Sequence, residues 1–312
     1  MNEKARLSII IPHYNSPQYL RTLLASIPNI PDIQAIVVDD KSTENLEEFQ
    51  NLKKAYAGKN IEFYDNDGVK SAGTCRNIGI RYAIGDWLLF ADADDYFVEH
   101  FYDTVKHSMN PDYDIVFFSP TSVIMGTTTP ARRHITAANK VQAYCEKPNR
   151  ENELALRYLL VGPCSKLIRK EMVLENRICF DEIIAANDIM FSTKCGYAAK
   201  KIAADTRIIY CITANEGSLT TQWREEILDA RLWANLRYFT FLKEHLSDED
   251  MKALQMDKNG RNMILQALHR GYPLRKAFKA LEKYRKCGAN IKPWYYLHIL
   301  IDHFLLRRKD KN

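Results

Sequence analysis

Short apolar runs alternate with amphipathic stretches through the first 118 positions. Leu7 to Ile11 is a β-branched run closed by Pro12. Ser16-Pro17 then reads as an N-cap with proline at the first helical position, opening a helix to about Ile27. Ala35 to Val38 is a second apolar run, followed by a polar helix from Thr43 to Tyr56. Ile61 to Tyr64 is a third strand and Ser71 to Ala83 a third helix. Asp86 to Ala91 supplies the fourth strand, Val98 to His107 is helical, and Tyr113 to Phe118 is strand-like. Strands separated by helices of this length predict βαβ units: an α/β fold with a mixed, mainly parallel sheet flanked by helices and right-handed crossovers.

The pattern is less regular from about 119 to 222. Thr121 to Thr129 reads as an exposed strand or hairpin, Glu151 to Leu160 as a helix, and Cys164 to Ile168 as a short strand. Asp188 to Ala199 is a helix with Asn187 as its cap, and Ile202 to Cys211 is a strand. Ala214 to Thr221 is polar and contains Gly217, which suits a loop. Helical periodicity dominates from Trp223: one amphipathic helix to Leu246, shorter helices to Cys287 with Gly288 as a stop, and a last helix from Trp294 to about Arg308 opened by Pro293. The expected division is therefore 1–222, with halves at about 1–118 and 119–222, followed by a helical region at 223–312.

Composition excludes several classes. Of 312 residues, 46% are hydrophobic and 27% charged, as in ordinary globular proteins with a sizeable core. No run reaches the roughly 20 apolar residues that span a bilayer, and the polar start at Met1 to Arg6 is not a secretory signal. Seven cysteines at irregular spacings predict reduced, buried thiols in a cytoplasmic protein rather than a disulfide framework. The net charge of +5 is uneven. Residues 270–312 carry twelve Lys or Arg against three acids, a net of +9, leaving −4 for the rest. Such a tail, with an aromatic and apolar stretch at 293–306 followed by Arg307-Arg308-Lys309, predicts membrane-surface contact through 293–309, at the inner face of the membrane. The alternative is a terminal helix packed on its domain. No recognition motif accompanies the cations, so nucleic acid is not expected.

The chemistry gathers at strand ends. Trp87-Leu88-Leu89-Phe90 runs directly into Asp92, Asp94 and Asp95, and carboxylates this close repel one another and resist burial. A divalent cation, Mn²⁺ or Mg²⁺, relieves that repulsion, with a phosphate-bearing substrate completing its shell. Pro12-His13-Tyr14-Asn15 and Asp39-Asp40-Lys41-Ser42 lie at two further strand ends. In parallel sheets the carboxyl ends of strands face one crevice, where ligands collect.

The segments Ile10-Ile11-Pro12-His13-Tyr14-Asn15, Ile36-Val37-Val38-Asp39-Asp40-Lys41-Ser42-Thr43, Arg76-Asn77-Ile78-Gly79 and Phe90-Ala91-Asp92-Ala93-Asp94-Asp95 stand in an order that resembles the family 2 glycosyltransferases of GT-A fold. The likeness covers residues 6 to about 222. It implies a UDP-sugar donor, a divalent metal, transfer with inversion, and a saccharide or lipid-linked saccharide acceptor, as in enzymes that build surface polysaccharides or glycolipids. Carried over position by position, Pro12, Tyr14, Asn15, Asp39, Asp40, Arg76, Asp92 and Ala93 would bind the nucleotide sugar. Tyr14 would lie near the uracil and one of Asp39 and Asp40 would accept its N–H, while Arg76 would approach the base or pyrophosphate, Asp92 the ribose, and Asp94 the metal. The family's base follows a glutamate at a helix start; here the pair reads Asn187-Asp188, which makes Asp188 the implied base, with Asp181 and Glu182 as nearby rivals. The loop from Asn215 to Thr221 resembles the family's lid. A nucleotidyltransferase and a non-catalytic nucleotide-sugar binder are the alternatives.

Overall fold

In the computed structural model, residues 5–215, 224–256, 259–269, 271–292, 294–297 and 300–301 are described. They divide into two compact units, Met1–Glu216 and Gly217–Asn312.

The first unit is built on an eight-stranded sheet. Its strands in chain order are β1 (Leu7–His13), β2 (Ile33–Asp39), β3 (Ile61–Asp65), β4 (Trp87–Phe90), β5 (Tyr96–Phe97), β6 (Ile115–Ile124), β7 (Lys166–Arg169) and β8 (Ile202–Ala214). Across the sheet the order is β3-β2-β1-β4-β7-β6-β8-β5. The first four are parallel, as the sequence predicts. β7 then runs antiparallel to both β4 and β6, β6 and β8 are parallel, and β5 is antiparallel to β8. The register sets His13 beside Asp39 and Asp39 beside Asp65. The polar ends of β1 and β2 therefore emerge at one level, and Ala91 N–H, bonding Ile10 C=O at 3.1 Å, brings the end of β4 alongside.

β1 and β2 are buried on both faces, which is why they read as unbroken apolar runs. Alternation sends successive residues to opposite layers. Ile9, Ile11, Ala35, Val37 and Leu89 pack on the side of α1 (Pro17–Ala25), α2 (Leu46–Ala55) and α4 (Phe101–Ser108). Ile10, Ile36, Val38, Leu88 and Phe90 pack on the side of α3 (Ala72–Tyr82), with Cys75, Ile78 and Phe191. α3 lies so close that a Cβ on Gly79 would fall 2.3 Å from Ile10 Cγ2.

Several elements differ from the sequence expectation for local reasons. Ser16 occupies the N-cap of α1, but its side chain makes no capping bond. α2 begins at Leu46 rather than Thr43, because Thr43 N–H and Glu44 N–H donate to Asn15 Oδ1 at 2.8 and 3.0 Å and Asn45 is left-handed (φ 55°). The strand-like segments around Phe118 and Thr121 are one strand, β6, with register shifts on either side of Ser119. Pro120 sits at that irregularity, where a missing N–H costs no ladder bond. One helix precedes the predicted one: α5 (Ile135–Glu146) buries only Val141 and so gives no clear apolar stripe, whereas α6 (Arg150–Leu159) is the helix expected at Glu151 to Leu160. α7 (Lys170–Glu175) and α8 (Ile189–Ala198) complete the unit. Asp188, not Asn187, is the N-cap residue of α8.

The second unit contains α9 (Glu225–His245), α10 (Asp248–Ala253), α11 (Asn259–His269) and α12 (Leu274–Lys286), with further helical residues at 294–297 and 300–301. The remainder of the expected last helix, to Arg308, lies outside the described residues. No helix among the described residues is long and apolar enough to cross a membrane. All seven cysteines are free; Cys75, Cys195 and Cys211 are buried, whereas Cys145 and Cys179 are exposed.

Candidate active site

The loop after β1 is set by a buried histidine. His13 stacks on Phe49 with centroids 4.4 Å apart, and its Nδ1 lies 2.8 Å from Asp39 Oδ1. Ser16 N–H donates to Nε2, so Nδ1 carries the proton and donates to Asp39. Asp39 also accepts from Ser42 N–H and Ser42 Oγ. Burial raises its carboxyl, but these three bonds outweigh that and hold it below the usual range. Both Asp39 oxygens are thus committed inside the protein. Asn15 is also internally engaged: its Oδ1 caps the Thr43 and Glu44 amides, and its own N–H donates to Ser42 Oγ. Pro12 is half-buried beside these contacts.

Asp40 falls on the opposite layer from Asp39, toward α3. Its Oδ1 accepts from Asn66 Nδ2 at 2.6 Å and Ser71 N–H at 3.0 Å. Tyr14 remains 43% exposed at the rim, with Lys70 Nζ 3.8 Å from its ring centroid. The neighbouring Ser71 is the N-cap of α3, accepting from Thr74 N–H, so this loop joins Tyr14 and Asp40 to the start of the helix that carries Arg76.

The acidic segment after β4 divides its roles. Asp95 is an anchor: it accepts from Thr213 N–H at 2.7 Å, while Thr213 Oγ1 donates to Asp94 C=O at 2.6 Å. Asp92 N–H donates to the Tyr210 hydroxyl. The loop is therefore pinned to β8. Ala93 is buried, and the Asp92 side chain is 44% exposed. Asp94 is half-buried, and its carboxyl is pushed up to about 6 by burial and by the charge of Asp92. Asp95 is raised well above the usual range by burial and by both neighbours.

Arg76 joins the two halves of the site. It is buried; Nη2 donates to Asp92 Oδ1 at 2.6 Å and Nη1 donates to Asn187 Oδ1 at 2.8 Å. Its guanidinium carbon is 5.3 Å from the Phe180 ring centroid, and its Nε is buried without a hydrogen-bond partner among the described residues. Asn187 is therefore a ligand of Arg76, not the helix cap expected from sequence. Next to it, Asp188 is half-buried at the start of α8, and burial raises its carboxyl against the opposing pull of Arg76 and Lys166. Of the rival acids, Glu182 is exposed and accepts from Asn77 Nδ2 at 3.3 Å. The backbone C=O of Asp181 packs against Gly73, where a Cβ would come within 2.1 Å. That glycine serves a close helix-to-loop approach, not a turn.

Among the described residues no group of three His, Cys, Asp or Glu side chains could cage a metal. What the acidic segment offers is one raised, half-buried carboxylate, Asp94, beside two further acids, of which Arg76 neutralises only Asp92. Such a donor set fits a hard cation that takes one carboxylate and completes its shell with water and phosphate oxygens. Of the expected lid, only Asn215 is described, and it is exposed; residues 216–221 lie outside the described residues.

The parallel half of the sheet gathers aromatic, acidic and helix-borne basic groups at its strand ends, where open α/β sheets bind nucleotides. The profile of Glycosyl transferase family 2 matches residues 8–176, and the chain belongs to that family. This membership decides for glycosyl transfer over nucleotidyl transfer: the protein is a glycosyltransferase. EpsH of Bacillus subtilis is 23% identical over 264 residues, covering 80% of this chain and 73% of EpsH. Poly(ribitol-phosphate) beta-N-acetylglucosaminyltransferase TarS of Staphylococcus aureus is 25% identical over 219 residues, covering 68% of this chain but 36% of TarS. The chain thus spans about a third of that longer relative. Among solved structures, TarS 1-349 in complex with UDP-GlcNAc superposes with a TM-score of 0.59 at 17% identity, covering 98% of this chain and 91% of that one. The mannosyltransferase PcManGT from Pyrobaculum calidifontis, in complex with GDP-Man and Mn²⁺, gives 0.57 at 15% identity, covering 99% and 89%. The fold is GT-A.

Proposed function

We propose that this protein is a metal-dependent, inverting glycosyltransferase that moves a sugar from a UDP-sugar to the hydroxyl of a saccharide or lipid-linked saccharide, on the cytoplasmic side of the membrane. The observation that carries the reading is the buried bridge from Asp92 through Arg76 to Asn187, which ties the acidic segment to the residue next to Asp188. Residues 1–222 form the catalytic domain in this account, and 223–312 an added helical region.

Each role follows from what a side chain has left to offer. Tyr14 presents an exposed ring on which a base can stack. Asp39 is saturated by His13 and Ser42, so Asp40 is the carboxylate that accepts the uracil N–H as a charge-assisted hydrogen bond. Asp92 holds Arg76 with one oxygen and offers the other to the ribose hydroxyls. Arg76 is itself a positioning residue, since its two terminal nitrogens are occupied. Asp94 would hold Mn²⁺ or Mg²⁺, which when bound neutralises the charge of the departing diphosphate as a Lewis acid.

Asp188 takes the proton from the acceptor hydroxyl as that oxygen attacks the anomeric carbon on the face opposite the diphosphate, which inverts the configuration. Its raised carboxyl makes it a stronger base than a free aspartate. Solved neighbours carry UDP-GlcNAc in one case and GDP-Man in another, so the fold alone leaves the base open, and the choice of uracil rests on Tyr14 and Asp40. The test is a panel of UDP- and GDP-sugars scored by nucleotide release, with Mn²⁺ and with chelator. UDP release that requires Mn²⁺ supports the reading; release of GDP only, or release unaffected by chelator, overturns it.

A further inference from the structure

The outward face of α12 carries an unbalanced charge stripe. Arg275, Lys279, Lys283 and Lys286 are all exposed, and their spacing of four, four and three residues puts them on one side of the helix. The buried residues Ala277, Leu281 and Tyr284 occupy the other side. The remaining cations of the helix are neutralised: Lys276 pairs with Glu225 and Asp229, and Arg285 pairs with Glu282. None of the four stripe residues has an ion pair among the described residues.

A second feature adjoins the stripe. Tyr296 stacks on Phe278 with centroids 5.8 Å apart and its hydroxyl reaches Glu282, so the helical segment around it packs along α12. From that segment Trp294, Leu297 and Ile301, spaced three and four apart, stand 43%, 57% and 47% exposed. A row of cations without ion pairs among the described residues is thus accompanied by exposed aromatic and aliphatic side chains.

We propose that this combined face docks on an anionic phospholipid bilayer, the cations lying on the headgroups and Trp294, Leu297 and Ile301 entering the interface. A soluble polyanion would use the cations but gives exposed Leu and Ile nothing to contact, whereas a bilayer surface takes both. The proposal is independent of the nucleotide and metal assignments, because no residue of the acidic site takes part.

The test is co-sedimentation of the full chain with vesicles of phosphatidylcholine containing about one-third phosphatidylglycerol, against pure phosphatidylcholine. Each basic residue near an anionic surface contributes roughly fivefold to partitioning, so reversing all four (Arg275→Glu, Lys279→Glu, Lys283→Glu, Lys286→Glu) should cut binding at least ~100-fold. A paired variant, Lys279→Gln with Lys283→Gln, serves where fourfold reversal unfolds the chain and should weaken binding more than ~10-fold. Trp294→Ser with Leu297→Ser should weaken the binding that survives in high salt, where screening has removed the charge component. Equal binding to neutral vesicles, wild-type affinity in the charge variants, or binding to a soluble polyphosphate without binding to vesicles would overturn the proposal.

Discussion

Arg76 Nη1 donates to Asn187 Oδ1 at 2.8 Å, a buried bond between residues 111 positions apart. It joins the helix behind the acidic segment to the helix that starts with the proposed base. Arg76→Lys keeps the charge but cannot reach both Asn187 and Asp92, since a lysine ammonium lacks the planar fork. We expect turnover to fall ~10–100-fold and stability to fall by about 1–3 kcal/mol, read by steady-state kinetics and by urea unfolding. A variant with wild-type turnover would remove Arg76 from the positioning role.

In the proposed mechanism, proton removal rests on Asp188. Asp188→Asn should retain UDP affinity and lose transfer by roughly 10²-fold or more, the scale of general-base catalysis. Because burial raises the Asp188 carboxyl, the base is lost as pH falls through that raised value. The acid limb of the kcat profile should therefore lie above the range of a free aspartate, and the Asn variant should lack it.

Asp94 gives a prediction for the metal-free protein. Its carboxyl is pushed up to about 6, above the unfolded value, so the folded state binds a proton that the unfolded state has already released. The ionised form costs stability above pH 6, and the cost fades as pH falls toward 4. Asp94→Asn should raise stability by about 1–3 kcal/mol at pH 7.5 and change it little at pH 4. Thermal melts with chelator at the two pH values measure the difference. A variant destabilised at both would contradict the buried, repelled carboxylate.

Gly73 and Gly79 are fixed by close approach. A Cβ on Gly73 would meet the Asp181 carbonyl at 2.1 Å, and one on Gly79 would enter the fully buried Ile10 side chain at 2.3 Å. Alanine at either should cost about 1–3 kcal/mol, the range for overpacking. At Gly73 it should also lower turnover, because Asn187 Cβ lies 3.1 Å from the same point.

The parallel half of the fold was legible because β1, β2 and β4 are buried on both faces and the helices between them carry clear apolar stripes. The antiparallel insertion of β7 was not, since four residues from Lys166 to Arg169 carry no signal of direction. Within the site, the acids and Tyr14 were visible as polar residues at the ends of apolar runs. Their supports were not: Tyr210 and Thr213 hold the acidic segment from positions 118 and 119 residues away, and nothing local marks either one. The sequence left Asp39 and Asp40 as equal candidates for the contact with uracil. His13 and Ser42 separate them by saturating Asp39, contacts that depend on β1 and β2 lying side by side.

The most direct measurement is a calorimetric titration of UDP into wild-type and Asp94→Asn protein, each with Mn²⁺ and with chelator. Wild-type affinity should fall at least ~10-fold when Mn²⁺ is removed, and the variant should show the weaker affinity in both conditions. Equal affinity of the two proteins in Mn²⁺ would show that the acidic segment does not hold the cation that grips the donor.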